Sequence, residues 1–343
     1  MKKIILLVPF ILSLYLQAQN PSVEILTSGT NTHIRGLSVV TDNVLWVSGH
    51  NGTVGRSTNG GKNWKWMVVK GFEKTDFRDI EAFDASTAVI MAVSEPAYIL
   101  KTTDGGDSWK VVYENKTKGM FLDAMEFWNL QAGIVIGDPV DGRFFVTRTF
   151  DGGSTWQDIP FDKRPRADSG EACFAASGTN VRALDNDEAV FISGGTKSRL
   201  YKRDEVIPLS IVQGKETTGA NSISVWDRFK KKGGKKLIVV GGDFNSASST
   251  DLNCFISNNG GKSWFAPKTP PHGYRSCVEY VSDKDIFTCG LNGVDYSSNG
   301  GKEFKWISKE SFHVCRIAKT GKTIYLAGAN GKIGKIVWGD IDK

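Results

Sequence analysis

Three arginines, Arg35, Arg78 and Arg275, head short alternating runs that recur along the chain, and His313 heads another. A guanidinium offers a planar fork of donors that grips a carboxylate or phosphate through two parallel hydrogen bonds. Several arginines brought to one place would therefore hold an anion. Acidic residues lie in the same runs: Asp79, Asp123 and Glu171. Three further stretches carry charge at turns: residues 138–143 with Asp138 and Arg143, residues 196–199 with Arg199, and residues 243–253 with Asp243. The expectation is that these groups ring one opening and form a binding site there.

Other chemistry-bearing residues point less far. Of five cysteines, Cys173, Cys277 and Cys315 fall at one repeat position, which reads as a small buried slot. Cys254 and Cys289 lie on other strands, and Cys277 and Cys289 come near one another without a fixed register. An odd count leaves at least one thiol unpaired within the chain. No CxxC pair occurs, and His33, His50, His272 and His313 show no metal-ligand spacing, so the expectation is no metal. Nor is a cofactor expected: the glycines at 328, 331 and 334 lack the GxGxxG spacing of a dinucleotide site.

The elements that would position the charged runs are set by a repeat. A hydroxyl residue, any residue, Asp or Asn, Gly-Gly, two residues and an aromatic recur five times. The acid or amide is Asn59, Asp104, Asp151, Asn259 and Asn299, and the aromatic is Trp64, Trp109, Trp156, Trp264 and Phe304. An Asp or Asn side chain can accept backbone N–H groups just ahead and fix a tight turn. The glycines permit positive φ, and the aromatic restarts a strand. The steps between copies are 45, 47, 108 and 40 residues, so the long step hides one degenerate repeat, near Phe191 to Tyr201. Steps of 40 to 47 match a four-stranded propeller blade.

Aligned on these turns, seven blade-opening positions emerge: Arg35, Arg78, Leu122, Glu171, Asn221, Arg275 and His313. The predicted fold is all-β, a seven-bladed β-propeller with blades starting near 34, 77, 121, 170, 220, 274 and 312. The last blade runs out early, so the segment from Val23 is expected to supply its outer strand and close the ring, which removes an exposed edge.

Lys2, Lys3 and the apolar run from Ile4 to Leu16 read as an export signal over residues 1–18, leaving one domain over 19–343 in the periplasm or outside the cell. No later stretch is apolar enough for a transmembrane segment. The net charge of +6 is too small and dispersed to argue for nucleic acid, although Arg228 to Lys236 is densely basic and reads as a solvated hairpin tip. A monomer is expected.

The five turns resemble the Asp-box (BNR) repeats of sialidase-like propellers. Residues 101–109, with Thr102, Asp104, Gly105, Gly106 and Trp109, are most similar to the blade consensus of the photosystem II stability and assembly factor family. That resemblance implies an exported, non-enzymatic binding or assembly protein with a protein or glycan partner. The alternative is a sialidase-like glycoside hydrolase using the arginines to hold a carboxylated sugar. Against it, Ile34, Gly36 and Leu37 do not reproduce the Phe-Arg-Ile-Pro motif around a sialidase's first arginine, and sialidases have six blades.

Overall fold

The computed structural model describes residues 20–185 and 187–339; the expected export signal lies outside them. Seven sheets stand in a ring, each counted from the axis outward as inner, second, third and outer strand. Blade 1 is Ile34–Val39, Leu45–Gly49, Thr53–Ser57 and Lys65–Val68, all antiparallel. Blade 2 is Phe77–Ala82, Ala88–Ala92, Ala97–Thr102 and Lys110–Asn115, and blade 3 is Leu122–Phe127, Gly133–Val140, Arg143–Thr149 and Gln157–Asp158. Blade 6 is Cys277–Tyr280, Ile286–Gly290, Gly293–Ser297 and Lys305–Ser308.

Blade 7 contributes only three strands from the C-terminal side, Val314–Ile317, Ile324–Ala327 and Ile333–Gly339. Its outer strand is the N-terminal Asn20–Thr27, with Val23 opposite Ile336. The two ends of the chain thus share one sheet and leave no open edge at the seam.

Blades 4 and 5 depart from the repeat. The predicted start of blade 4 at Glu171 is corrected: its inner strand is Val181–Ala183, followed by Ala189–Ile192, Arg199–Lys202 and Glu205–Pro208. Glu171–Ala172 instead pairs with Gly194–Gly195, beyond the end of the second strand, and Gly194 bridges to Gly219 of blade 5. The pairing that looked like a blade opening is a short side ladder at one rim. Blade 5 has Thr218–Val225, Leu237–Asp243 and Cys254–Ser257, and its fourth position is reduced to Phe265 bridging Ile256.

The second strands Leu45–Gly49 and Ala88–Ala92 are buried at every residue. A blade's middle strands are covered on both faces by neighbouring blades, so they read as apolar runs rather than alternations. The apolar core accordingly forms clusters between blades instead of one centre. Trp46, Phe77, Ile80 and Leu100 join blades 1 and 2; Val89, Met125, Val135 and Phe145 join 2 and 3.

The five repeated turns connect third and outer strands. In blade 2 the Thr102 hydroxyl donates to Asp104 (2.8 Å) and accepts the Gly106 N–H (3.0 Å), while Asp104 accepts the Ser108 N–H (3.0 Å). The same bonds form at Ser57, Thr149, Ser257 and Ser297. Both glycines have positive φ in all five turns. The second is needed for a further reason: a Cβ on it would lie 2.7–2.9 Å from a side chain of the adjoining blade. Gly106 meets Met67, Gly153 meets Val89, Gly261 meets Leu200, Gly301 meets Ile256, and Gly61 meets Leu26 of the closing N-terminal strand. The turn residue therefore also sets how closely blades pack.

Candidate functional site

Inner strands line the axis, and two levels of side chains along them face it. At the first level the strands of blades 1, 2, 3 and 5 carry a bulge that sets one residue apart from the ladder. The bulged residues are Arg35, Arg78, Asp123 and Asn221. In blade 7 His313 donates its backbone N–H to Ala327 beside the Val314–Ala327 pair, and in blade 6 Ser276 does the same to Cys289. Ser276, not Arg275, is therefore the equivalent residue. The expected three-arginine ring is not formed, because Arg275 stands one position earlier, where a side chain points into its own blade. It is fully buried, with its Nε on Asp295 (2.7 Å) and Nη1 on the Tyr274 carbonyl (2.9 Å).

The opening at this level is filled. Residues 175–180, ahead of the inner strand of blade 4, are buried throughout and cross the axis as a plug. Arg35 Nη1 donates to the Ala176 carbonyl (3.3 Å), Ser177 Oγ to the Ser276 carbonyl (2.7 Å) and Arg316 Nη2 to the Gly178 carbonyl (3.0 Å). Thr179 Oγ1 reaches Ser222 Oγ (2.6 Å). Gly178 has φ +63°, and a Cβ there would lie 2.3 Å from the Asp79 carboxyl. Four blades besides its own thus hold this segment, and small residues let it pass.

The second level lies three residues further along, at Ser38, Glu81, Glu126, Arg182, Ser224, Glu279 and Arg316, each one pair from the strand's end. Here the axis opens into a cavity of about 690 Å3 on the face that carries the inner-to-second loops and the five Gly-Gly turns. The cavity is blind, since Asp79 and Arg316 in its lining rest on plug residue Gly178. Its walls add Phe83, Trp128, Trp226 and Phe229.

Its charges form a connected belt. Arg182 reaches Glu126 (3.5 Å) on one side and Glu279 (3.3 Å) on the other; Arg316 adds a contact to Glu279 (3.7 Å), and Arg228 pairs with Glu126 from the rim. The two carboxyls respond oppositely to similar surroundings. Burial pushes Glu126 up, but Arg228, Arg182 and Arg316 outweigh it and hold the group below its usual range. Glu279 has no direct rim partner like Arg228, so burial prevails and its affinity for a proton rises. Burial also pushes Asp79 up to about 8, against Arg316 and the amides of Met125 and Ile80. Arg182 is pushed down by burial and by neighbouring Arg316. A blind cavity of this size, with aromatic walls and a fixed charged floor, can enclose a side chain or chain end of a partner.

The other expected residues are distributed as follows. Arg78 Nε pairs with Asp76 (2.7 Å) and its guanidinium lies over Phe121 (5.8 Å). Asp138 accepts the Cys173 N–H (2.8 Å) and is pushed by burial up to about 6. Asp123, buried beside it, is pushed up by burial and by Asp138, and neither of its oxygens has a well-formed hydrogen bond. Glu171 accepts from Arg199 Nε (2.9 Å) and Tyr201 (2.8 Å). These groups sit on the plugged side, around blades 2 to 4. Arg143 donates to the Arg164 carbonyl (2.6 Å) and fastens the segment after blade 3. Asp243 caps its own loop through Asn245 N–H (2.9 Å). His313 Nδ1 bonds the Ile34 carbonyl (2.9 Å), and burial lowers it to about 4.

The sequence reading missed the charged belt. Its signal was a polar or charged residue just before the end of every inner strand. Placing the opening of blade 4 at Glu171 hid Arg182, the residue that links the belt's acids.

No family model and no curated protein matches the chain. Solved structures do. A structure of YCF48 bound to D1 peptide superimposes with a TM-score of 0.65 at 15% identity, covering 93% of this chain and 96% of that one. YCF48 from Cyanidioschyzon merolae gives 0.66 at 15% identity, covering 92% and 98%. The WD40 β-propeller domain of Doa1 gives 0.61 at 12% identity, covering 94% and 98%. At these identities the likeness is one of fold, and the fold it shows is the seven-bladed propeller.

Proposed function

We propose that this chain is an exported, non-enzymatic binding or assembly propeller, that its five turns are Asp boxes, and that it takes a segment of a protein partner at the cavity on the box-turn face. The observation that carries this reading is the blind, charge-floored cavity surrounded by exposed apolar side chains. Leu130 and Phe229 stand out on that face, at a mouth whose floor is already ion-paired. A belt whose charges are mutually satisfied binds by shape and by exchange of partners, and large apolar side chains at the rim supply burial area. The relatives in fold support a protein partner by analogy, since one of them is a structure with a bound peptide.

A sialidase-like site lacks its central requirement, because Arg35 lies against the plug and Arg275 is committed to Asp295. The test is capture from cell-envelope extract with wild-type protein, a Leu130→Asp/Phe229→Asp variant and a Leu252→Asp/Leu291→Asp variant of the opposite face. Loss of a specific protein with the first variant alone supports the reading. Loss with the second alone, or release of sugar from sialosides by the wild type, overturns it.

A further inference from the structure

Three of the five thiols meet at one place, and no element of the proposed binding site uses them. Cys277 lies on the inner strand of blade 6, directly across from Cys289 on the second strand, and Cys315 lies on the inner strand of blade 7. All three are fully buried in the cluster that joins these two blades to blade 1. Cys277 Sγ lies 3.7 Å from Cys315 Sγ and against the backbone of Cys315, 3.4 Å from its nitrogen and 3.3 Å from its oxygen. Inner strands are where neighbouring blades come closest, so two short side chains span the gap. A disulfide needs about 2.05 Å between sulfurs, so both side chains have to turn toward one another for the bond to form.

We propose that Cys277 and Cys315 are a disulfide-forming pair that, once the chain is exported, covalently ties blade 6 to blade 7. The pairing rests on this geometry, and the compartment rests on the export reading. The step is thiol–disulfide exchange with a small-molecule or protein disulfide. The Cys277 thiolate attacks it to give a mixed disulfide. The Cys315 thiolate then displaces the remaining half, so the two protein thiols lose two electrons and the reagent leaves as two thiols. Because the folded thiols are shut off from solvent, exchange takes place while the last blade is still unpacked. Blade 7 is completed by the N-terminal strand, so the ring around this interface closes only when both ends of the chain are in place. The bridge spans 37 intervening residues and fixes the blade next to the ring-closing seam. Cys289, whose side chain meets both of these thiols, is left reduced by this pairing, as are Cys254 on blade 5 and Cys173 ahead of blade 4.

The experiment maps thiols in full-length protein recovered after export and in residues 19–343 kept in the cytosol, each denatured in alkylating reagent without reductant. A third sample is refolded in a mixture of oxidised and reduced glutathione. The exported and refolded samples are expected to show three alkylated cysteines and one cross-linked peptide pair containing Cys277 and Cys315; the cytosolic sample shows five alkylated cysteines. Cys289→Ala keeps the cross-link, Cys315→Ala loses it, and reductant lowers the melting temperature of the refolded protein by about 5 °C, from the loop-closure entropy of such a bridge. Five alkylated cysteines in the refolded sample, or a Cys277–Cys289 peptide pair, overturn the proposal. A bridge in the refolded sample with none in the protein recovered after export overturns the claim that export is what forms it and leaves the pairing standing.

Discussion

Replacing Arg182 with Met tests whether the belt is a structural unit. Arg182 is 2% exposed and is the only residue bonded to both Glu126 and Glu279 among the described residues. Removing one member of a buried ion pair leaves charge without compensation and costs about 3–5 kcal/mol. Arg228 and Arg316 remain beside the two acids, so the lower end, about 3 kcal/mol, is expected. For roughly 320 ordered residues, with about 2.1 cal/mol/K of unfolding entropy each, that is a fall of about 4–5 °C in melting temperature. The deficit has a predicted pH dependence. Glu279 already has a folded-state proton affinity raised above its unfolded value. Such a group costs nothing below its unfolded value, where it is protonated in both states, and costs most above its folded one. Without Arg182 that window widens, so the variant's deficit should be small near pH 4 and full at neutral pH. Calorimetry at both pH values reads it, and Arg182→Met with Glu279→Gln should recover part of the loss. A deficit that is equal at both pH values, or absent, would refute the ion-pair argument.

The remaining expectations concern the turns, the plug and the inter-blade core. Thr102→Val removes the hydroxyl that accepts the buried Gly106 N–H and should cost about 1–3 kcal/mol by urea denaturation, while Ser108→Ala on the exposed side of the same turn should cost less. Asp79, raised to about 8 by burial, makes the wild type lose stability as pH rises from about 4 toward 8; urea midpoints of Asp79→Asn over that range should be flatter. Trp46 is fully buried and meets Trp109 of the next blade edge-on at 6.4 Å, so Trp46→Ala should cost about 3–5 kcal/mol, seen as an earlier thermal transition.

The repeat was legible because its chemistry is local. Hydroxyl, acid or amide and two glycines close a turn using bonds within five residues, and their spacing counts blades. The closing strand was legible from arithmetic alone, since blade 7 was one strand short. The site was not legible because it depends on which residue of an inner strand faces the axis. A bulge shifts that register by one: Arg35 and Arg78 sit on bulges, whereas the residue before Ser276 is turned into the blade, so Arg275 reads as equivalent and is not. The plug was invisible for a different reason. Residues 175–180 have no repeat, and their contacts to Arg35, Arg316, Ser222 and Ser276 span up to 141 residues.

The central claim is that the face of the five Gly-Gly turns, not the plugged face, meets a partner. Its most direct test places a photo-crosslinking amino acid at Leu130 and Phe229 on the first face, and at Leu252 and Leu291 on the second, in cells making the full chain. All four side chains are exposed, so each reports its own surroundings without disturbing the core. The account predicts one common protein adduct from positions 130 and 229 and none from 252 and 291. The reverse pattern, with adducts from 252 and 291 alone, would contradict it.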